Sequence, residues 1–219
     1  LKNGWKIKEV YATKGYLDLE KNAINQDELC LKSFETSEQE LSKIGNLQTN
    51  KHVAALVGMK QSKVNPELWK NEFSLVLDDI KDPGNLGTIL RTASWFGIKS
   101  VFCSESCVDV FNPKVIQASM GAVFSVNVLT TDIQDLCKEG SQVLDFPIFG
   151  AFLEGEKARA IKHCKKGFLI LGSESHGVSA SIEQFVSNKI TIAKSLKSDT
   201  ESLNVAVAAA ILCYELTDH

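Results

Sequence analysis

From residue 73 onward, apolar runs recur between helix-patterned stretches: "FSLVLDDI", "SVFCSE", "AVFSVNVL", "PIFGAFLEG", "FLILGSE" and "KITIAKS". Their hydrophobic positions are mostly consecutive rather than alternate. Strands of that kind must be covered on both faces, as in a parallel sheet with helices on each side. The pattern predicts an α/β domain over residues 73–219. Residues 1–59 read as a small α/β unit: strand "KIKEVYAT", a loop, helix "TSEQELSKI" and strand "HVAALVGM". Thr36 or Ser37 stands at the helix start, with Glu38 and Glu40 in its first turn. Between the units, "KQSKVNPELWKNE" over residues 60–72 is polar, contains Pro66 and lacks a period, so it reads as a linker. No internal repeat is present.

Three stretches carry candidate chemistry. In "DDIKDPGNLGTILRTASWFG", residues 78–97, Asp82 precedes Pro83 and is held out of helical geometry, while Gly84 and Gly87 permit a tight turn from strand into helix. Leu86, Ile89, Leu90 and Ala93 then define a buried stripe, from which Arg91 points away. A solvated Arg is the bland reading. Against it, Arg91 and Arg159 are the only two arginines among the 24 Lys and Arg residues, and a planar fork of donors suits phosphate or carboxylate as Lys does not.

The second stretch, "LILGSESHGVS" over residues 169–179, runs from an apolar strand into a polar turn. Val178 stands where a P-loop needs Lys, and the chain has neither G-x-G-x-x-G after a strand nor a G-x-S-x-G elbow. The glycines suit close approach of backbone groups to a flat ligand, and Glu174 can orient the loop or meet a polar group of the substrate. His176 invites a general-base role, but no adjacent Asp or nucleophile is expected to supply the geometry a base needs. The third, "KSDTESLNVAVAAAILCYEL" over residues 197–216, predicts a buried C-terminal helix capped by Ser202 or Thr200. Ser202 and Asn204 at its mouth can meet a ligand at the carboxyl edge of the sheet.

Composition narrows the field. The chain has 219 residues, 44% hydrophobic and 23% charged, which excludes a disordered or collagen-like polymer. Its net charge of −3 gives no global attraction to nucleic acid, so any such contact needs a local patch. Lys157, Arg159, Lys162, Lys165 and Lys166 form one basic cluster, which reads first as a solvated face. The longest apolar run, Val205 to Tyr214, is about half a membrane span. The six cysteines lie mostly in apolar segments, and Cys103 and Cys107 alone are close in sequence, so reduced thiols in a cytoplasmic protein without a metal site are expected. The first residues hold no secretory stretch and do not begin with Met, so a missing start is expected.

Taken in order, the three stretches resemble the three motifs of the SpoU/TrmH family of RNA ribose 2′-O-methyltransferases, within the SPOUT class. The matching segments are "NLGTILRTA", "LGSESHGV" and "ESLNVAVAAAI", and "NPKVIQASMGAVF" resembles the family between the first two. The resemblance spans residues 73–216. It implies a parallel sheet whose C-terminal segment is threaded as a deep trefoil knot, with S-adenosylmethionine held there largely by main-chain groups at Gly172, Ile192 and Leu203, beside Leu171, Gly177 and Asn204. It implies a catalytic set of Arg91, Asn85, Glu174, Ser202 and Asn204, and a homodimer in which Arg91 works beside the partner's cofactor.

A charged guanidinium has no acceptor, so Arg91 is expected to bind the target phosphate and stabilise the attacking alkoxide. Phosphate or water then takes the proton. Residues 1–59 resemble the ribosomal-protein-like substrate-binding domain that precedes such enzymes, lacking its first strand and helix, which favours ribosomal over transfer RNA. Two departures stand out. "IAKSLKSDTESLN" lacks the proline and glycine common after that strand, and Ser175 and His176 replace glycine-rich or acidic residues, leaving His176 without a role. The rival readings are a transfer-RNA enzyme, a non-catalytic RNA-binding or ribosome-assembly protein of the same fold, and a nucleotide-dependent oxidoreductase, which the missing dinucleotide glycines disfavour.

Overall fold

The structure, a computed structural model, describes residues 5–19, 30–44, 52–59, 64–161 and 163–217. The chain divides into two compact units, Leu1–Gln61 and Ser62–His219.

In the first unit, β1 (Ile7–Ala12) lies between β2 (Cys30–Glu35), parallel to it, and β3 (Val53–Val57), antiparallel. The stretch expected as a loop thus supplies a strand, and also the helix α1 (Lys14–Leu19). Helix α2 (Glu38–Ile44) starts in a capping box: the Glu40 amide donates to Ser37 Oγ at 3.3 Å, and the Ser37 amide donates back to Glu40 Oε2 at 2.9 Å. The Ser37 amide is the main reason that the Glu40 carboxyl is lowered to about 2.

The second unit holds a six-stranded parallel sheet, ordered β6-β5-β4-β8-β7-β9. Its strands are β4 (Phe73–Leu77), β5 (Ser100–Cys103), β6 (Asn127–Thr130), β7 (Ile148–Lys157), β8 (Gly167–Leu171) and β9 (Asn188–Thr191). The expected strand "AVFSVNVL" begins instead as a 3-10 turn, Ala122–Phe124, because Met120 and Gly121 both take positive φ, 50° and 86°. Alternate residues of the central strands feed two separate cores. Leu75, Leu77, Leu169 and Leu171 face one, and Val76, Phe168 and Ile170 face the other, all fully buried. This two-sided burial accounts for the consecutive apolar runs. Each such side chain contributes roughly 1.5–3 kcal/mol.

The first core is closed by α3 (Pro83–Trp95) and α7 (Val205–Leu216), with Leu86, Ile89, Leu90 and Ala93 of α3 fully buried as their spacing predicts. Gly87 of α3 lets α4 (Pro113–Ser119) approach: a Cβ there would lie 2.5 Å from Ala118 Cβ and 2.7 Å from the Val115 carbonyl. The second core packs against α5 (Ile133–Ser141) and includes Trp69, fully buried against Phe146 and Phe168. That tryptophan lies in the stretch expected as a linker and roots residues 64–72 in this unit. The short α6 (Ala180–Glu183) follows the loop after β8.

Candidate functional site

The three stretches singled out in the sequence meet at the carboxyl edge of the parallel sheet. Helix α3 begins where β4 ends. Asp82 caps it, its Oδ1 accepting from the Asn85 amide at 2.8 Å, and Pro83 occupies the first turn, where no amide proton is needed. Asn85 therefore sits in the first turn of α3 with its side chain at the sheet edge.

Beyond β8, residues 172–178 fold back on themselves. The Gly177 amide donates to the Ser173 carbonyl at 2.8 Å, and Gly177 has φ +68°. At Gly172 a Cβ would fall 2.0 Å from the Gly177 carbonyl carbon, so no side chain fits. The turn presents Glu174, exposed, to α3, and Asn85 Nδ2 donates to Glu174 Oε1. Ser175 Oγ lies 2.8 Å from His176 Nδ1 and 2.9 Å from Ser173 Oγ, an exposed polar string that makes no bond to Glu174.

The third stretch supplies Asn204, and it, rather than the expected Ser202 or Thr200, caps α7. Its Oδ1 accepts from the amides of Ala206 (2.9 Å) and Val207 (3.3 Å). Those two donors fix which end of the amide is oxygen. Asn204 Nδ2 must then point outward, and it donates to Asn85 Oδ1 at 2.9 Å. With its oxygen so engaged, Asn85 turns its own NH2 to Glu174. A helix cap thus orients a chain of donors running Asn204 to Asn85 to Glu174, linking all three stretches.

The remaining residues fall outside that chain. Ser202 and Leu203 are exposed and make no hydrogen bond among the described residues. Ile192 is half-buried against the first core, and the buried Leu171 directs its carbonyl to the Asp78 amide at 2.9 Å. Arg91 is exposed on α3, two turns from Asn85, and makes no hydrogen bond or ion pair among the described residues.

Residues 72–214 match the model of the SpoU rRNA Methylase family. The chain belongs to the SpoU rRNA methylase family. A Bacillus subtilis relative named 23S rRNA (guanosine(2553)-2'-O)-methyltransferase is 32% identical over 191 residues, covering 85% of this chain and 73% of that protein. Among solved structures, a TrmH-family RNA methyltransferase homologue from Porphyromonas gingivalis aligns with TM-score 0.79 at 32% identity, over 98% of this chain and 83% of that one. An AdoMet-bound rRNA methyltransferase from Sinorhizobium meliloti aligns with TM-score 0.76 at 25% identity, over 97% and 80%. SpoU proteins are S-adenosylmethionine-dependent RNA methyltransferases, and this chain is one of them.

The sheet edge exposes main-chain groups. β7, β8 and β9 end side by side there, Gly172 and Gly177 bring main chain to the surface, and Ser202 and Leu203 offer unpaired groups. Sequence reading missed one contributor to this edge. β7 pairs β9 in two stretches, through Ala151 and again from Glu156, so residues 152–155 bulge out at the same edge, and Thr191 Oγ1 donates to the Leu153 carbonyl at 2.9 Å. Glycine inside a strand was the available signal: a Cβ on Gly155 would lie 2.5 Å from the Lys189 carbonyl. Trp95, 83% exposed on α3, was also missed, as were Val207 and Tyr214 on α7 as surface residues.

Among the described residues, no group of three His, Cys, Asp or Glu side chains is arranged to hold a metal ion, and no helix is long and apolar enough to cross a membrane. Lys162 of the basic cluster lies outside the described residues.

Proposed function

We propose that this SpoU protein methylates a ribose 2′-hydroxyl of ribosomal RNA, and that it does so as a homodimer. The observation that carries the reading is the donor chain from Asn204 through Asn85 to Glu174, which ties the three motifs into one rigid edge. Bound S-adenosylmethionine supplies a sulfonium-activated methyl group. We place it in a trefoil knot formed by the loops after β8 and β9, with main-chain groups of Gly172, Ile192 and Leu203 as its contacts and Leu171 and Gly177 beside them.

The chain's own residues then position and neutralise. Alignment of hydroxyl and methyl supplies much of the acceleration, because pre-ordered reactants no longer meet by chance. Arg91 binds the phosphate beside the target ribose and stabilises the oxygen as it loses its proton to phosphate or water. Within one protomer Arg91 has no partner among the described residues, which suits a role at a subunit boundary. Thr88, Arg91 and Trp95 share one face of α3, and Val207, Ile211 and Tyr214 share one face of α7, the helix packed beside it. Trp95, Val207 and Tyr214 on these faces are exposed, and an exposed apolar patch of this kind marks an interaction site. Ser202 is assigned to the target side of the same pocket. Residues 1–59 serve as the RNA-binding module, and the relative named for 23S rRNA favours ribosomal over transfer RNA.

The test is methylation of total RNA from a deletion strain with labelled cofactor, followed by mapping of alkali-resistant linkages. Label in a ribosomal RNA ribose supports the reading; label on a base or in transfer RNA overturns its finer part. Arg91→Lys is expected to lose at least about tenfold in turnover with cofactor affinity near normal, since Lys cannot offer the planar fork. Unchanged turnover removes Arg91 from the mechanism.

A further inference from the structure

Asp78 is the first residue past β4 and is 7% exposed. Its two polar ends reach the same loop. The Asp78 amide donates to the Leu171 carbonyl, where the chain leaves β8, at 2.9 Å. Its Oδ2 accepts from the Ser179 amide, where the chain enters α6, at 2.8 Å. Residues 172–178 are therefore closed at both ends by one amino acid just past a neighbouring strand, and Val178 beside the second anchor is 6% exposed. On the other side of Asp78 the backbone turns sharply, with Asp79 at φ 60°, toward the cap of α3 and Asn85.

We infer that Asp78 is a positioning residue that sets the width of the Gly172–Val178 loop and its distance from Asn85, and so governs how the loop receives S-adenosylmethionine. It acts through Ser179 and Glu174 and touches no reacting atom. The inference rests on the family's cofactor dependence and on the loop serving as its cradle.

The experiment compares Asp78→Ala and Asp78→Asn with the wild type by calorimetry with S-adenosylmethionine, thermal melting, and methylation kinetics. Asp78→Ala is expected to weaken cofactor binding about tenfold or more, raising the cofactor KM more than it lowers kcat, while the RNA KM stays within about twofold. Asp78→Asn retains a carbonyl acceptor for the Ser179 amide and is expected to recover most of the affinity. Equal cofactor affinity in Asp78→Ala and wild type overturns the inference. So does a loss shared evenly by RNA KM, cofactor KM and melting temperature, or an Asn variant no better than Ala. Should Asp78→Ala fail to fold, Asp78→Asn and Ser179→Pro, which deletes the donor while sparing the carboxylate, decide the matter by the same affinity measurement. No cofactor binding by the wild type itself would instead break the reading of the loop as a cradle.

Discussion

Replacing Asn204 by Asp separates the two duties of that side chain. The cap survives: a carboxylate oxygen still accepts from the Ala206 and Val207 amides, and negative charge at a helix N-terminus is favourable by about 0.3–1 kcal/mol. The outward donor is lost. Two oxygens then face one another across the 2.9 Å now spanned by a hydrogen bond, and Asn85 relieves the repulsion by rotating its amide. Rotation turns the Asn85 oxygen toward Glu174, so a bond to a carboxylate becomes a repulsive contact. Hydrogen bonds to charged groups are worth about 1.5–3 kcal/mol, and because Glu174 and Asn204 are exposed the lower end applies. About 1.5 kcal/mol corresponds to roughly a tenfold fall in kcat/KM. Asn204→Ala, in contrast, also removes the cap, which costs about 1 kcal/mol and lowers the melting temperature by about 2–4 °C in a chain of this size. The pair is assayed by thermal melting and by methyl transfer from labelled cofactor. The Asp variant should melt only slightly below wild type and above the Ala variant, because the favourable cap charge offsets part of the lost bond, while its kcat/KM falls about tenfold; the Ala variant should fall further in melting temperature and also lose activity. Wild-type turnover in the Asp variant, or a melting temperature as low as that of the Ala variant, refutes the oriented chain.

Three further outcomes follow from the geometry. Gly172→Ala places a methyl group inside van der Waals contact with the Gly177 backbone, so the loop must open; cofactor binding should vanish by calorimetry, with a stability loss of about 1–3 kcal/mol by chemical denaturation. Cys107 is held down to about 6, chiefly by the Cys103 thiol, with Ser104 and the Ile80 amide (3.3 Å) adding to the effect, whereas burial pushes Cys137 and Cys213 up to about 12. Its thiolate fraction therefore grows as pH rises through about 6 rather than 9, and peptide mapping after iodoacetamide treatment should find Cys107 labelled with a midpoint near pH 6 and Cys137 and Cys213 unlabelled; a midpoint near 9 contradicts this. Trp95→Glu sets a charge on the exposed α3 face and should yield monomers by sedimentation, with activity lost; a dimer that persists would move the proposed interface elsewhere.

Local chemistry made much of the second unit legible in sequence. Leu86, Ile89, Leu90 and Ala93 revealed the buried face of α3, and consecutive apolar runs revealed strands covered on both sides. Glu174 stood out in a polar turn, Asn204 at a helix mouth and Asn85 through the family resemblance, yet nothing in spacing told that they bond to one another across 89 and 119 residues. The cap of α7 was misplaced by two positions or more because Thr200, Ser202 and Asn204 are all competent caps, and only the third meets the Ala206 and Val207 amides. Strand β2, "CLKSFE", was hidden because its lysine, serine and glutamate interrupt any apolar run. Trp69 escaped notice for the opposite reason: a single large aromatic in a polar stretch leaves no period, although it fills a core.

Strand order also sets how far the third motif must travel. β9 lies three positions from β4, about 14 Å at the usual spacing, and Asn204 must come back across β7 and β8 to reach Asn85 at the start of α3. The twelve residues from Ile192 to Leu203 could stretch about 40 Å, so well over half their contour is surplus. Shortening this crossing by two or three residues should leave the Asn204 contact reachable, whereas removing eight should cut it. The crossing can therefore lose a few residues without disturbing the contacts at either end of it.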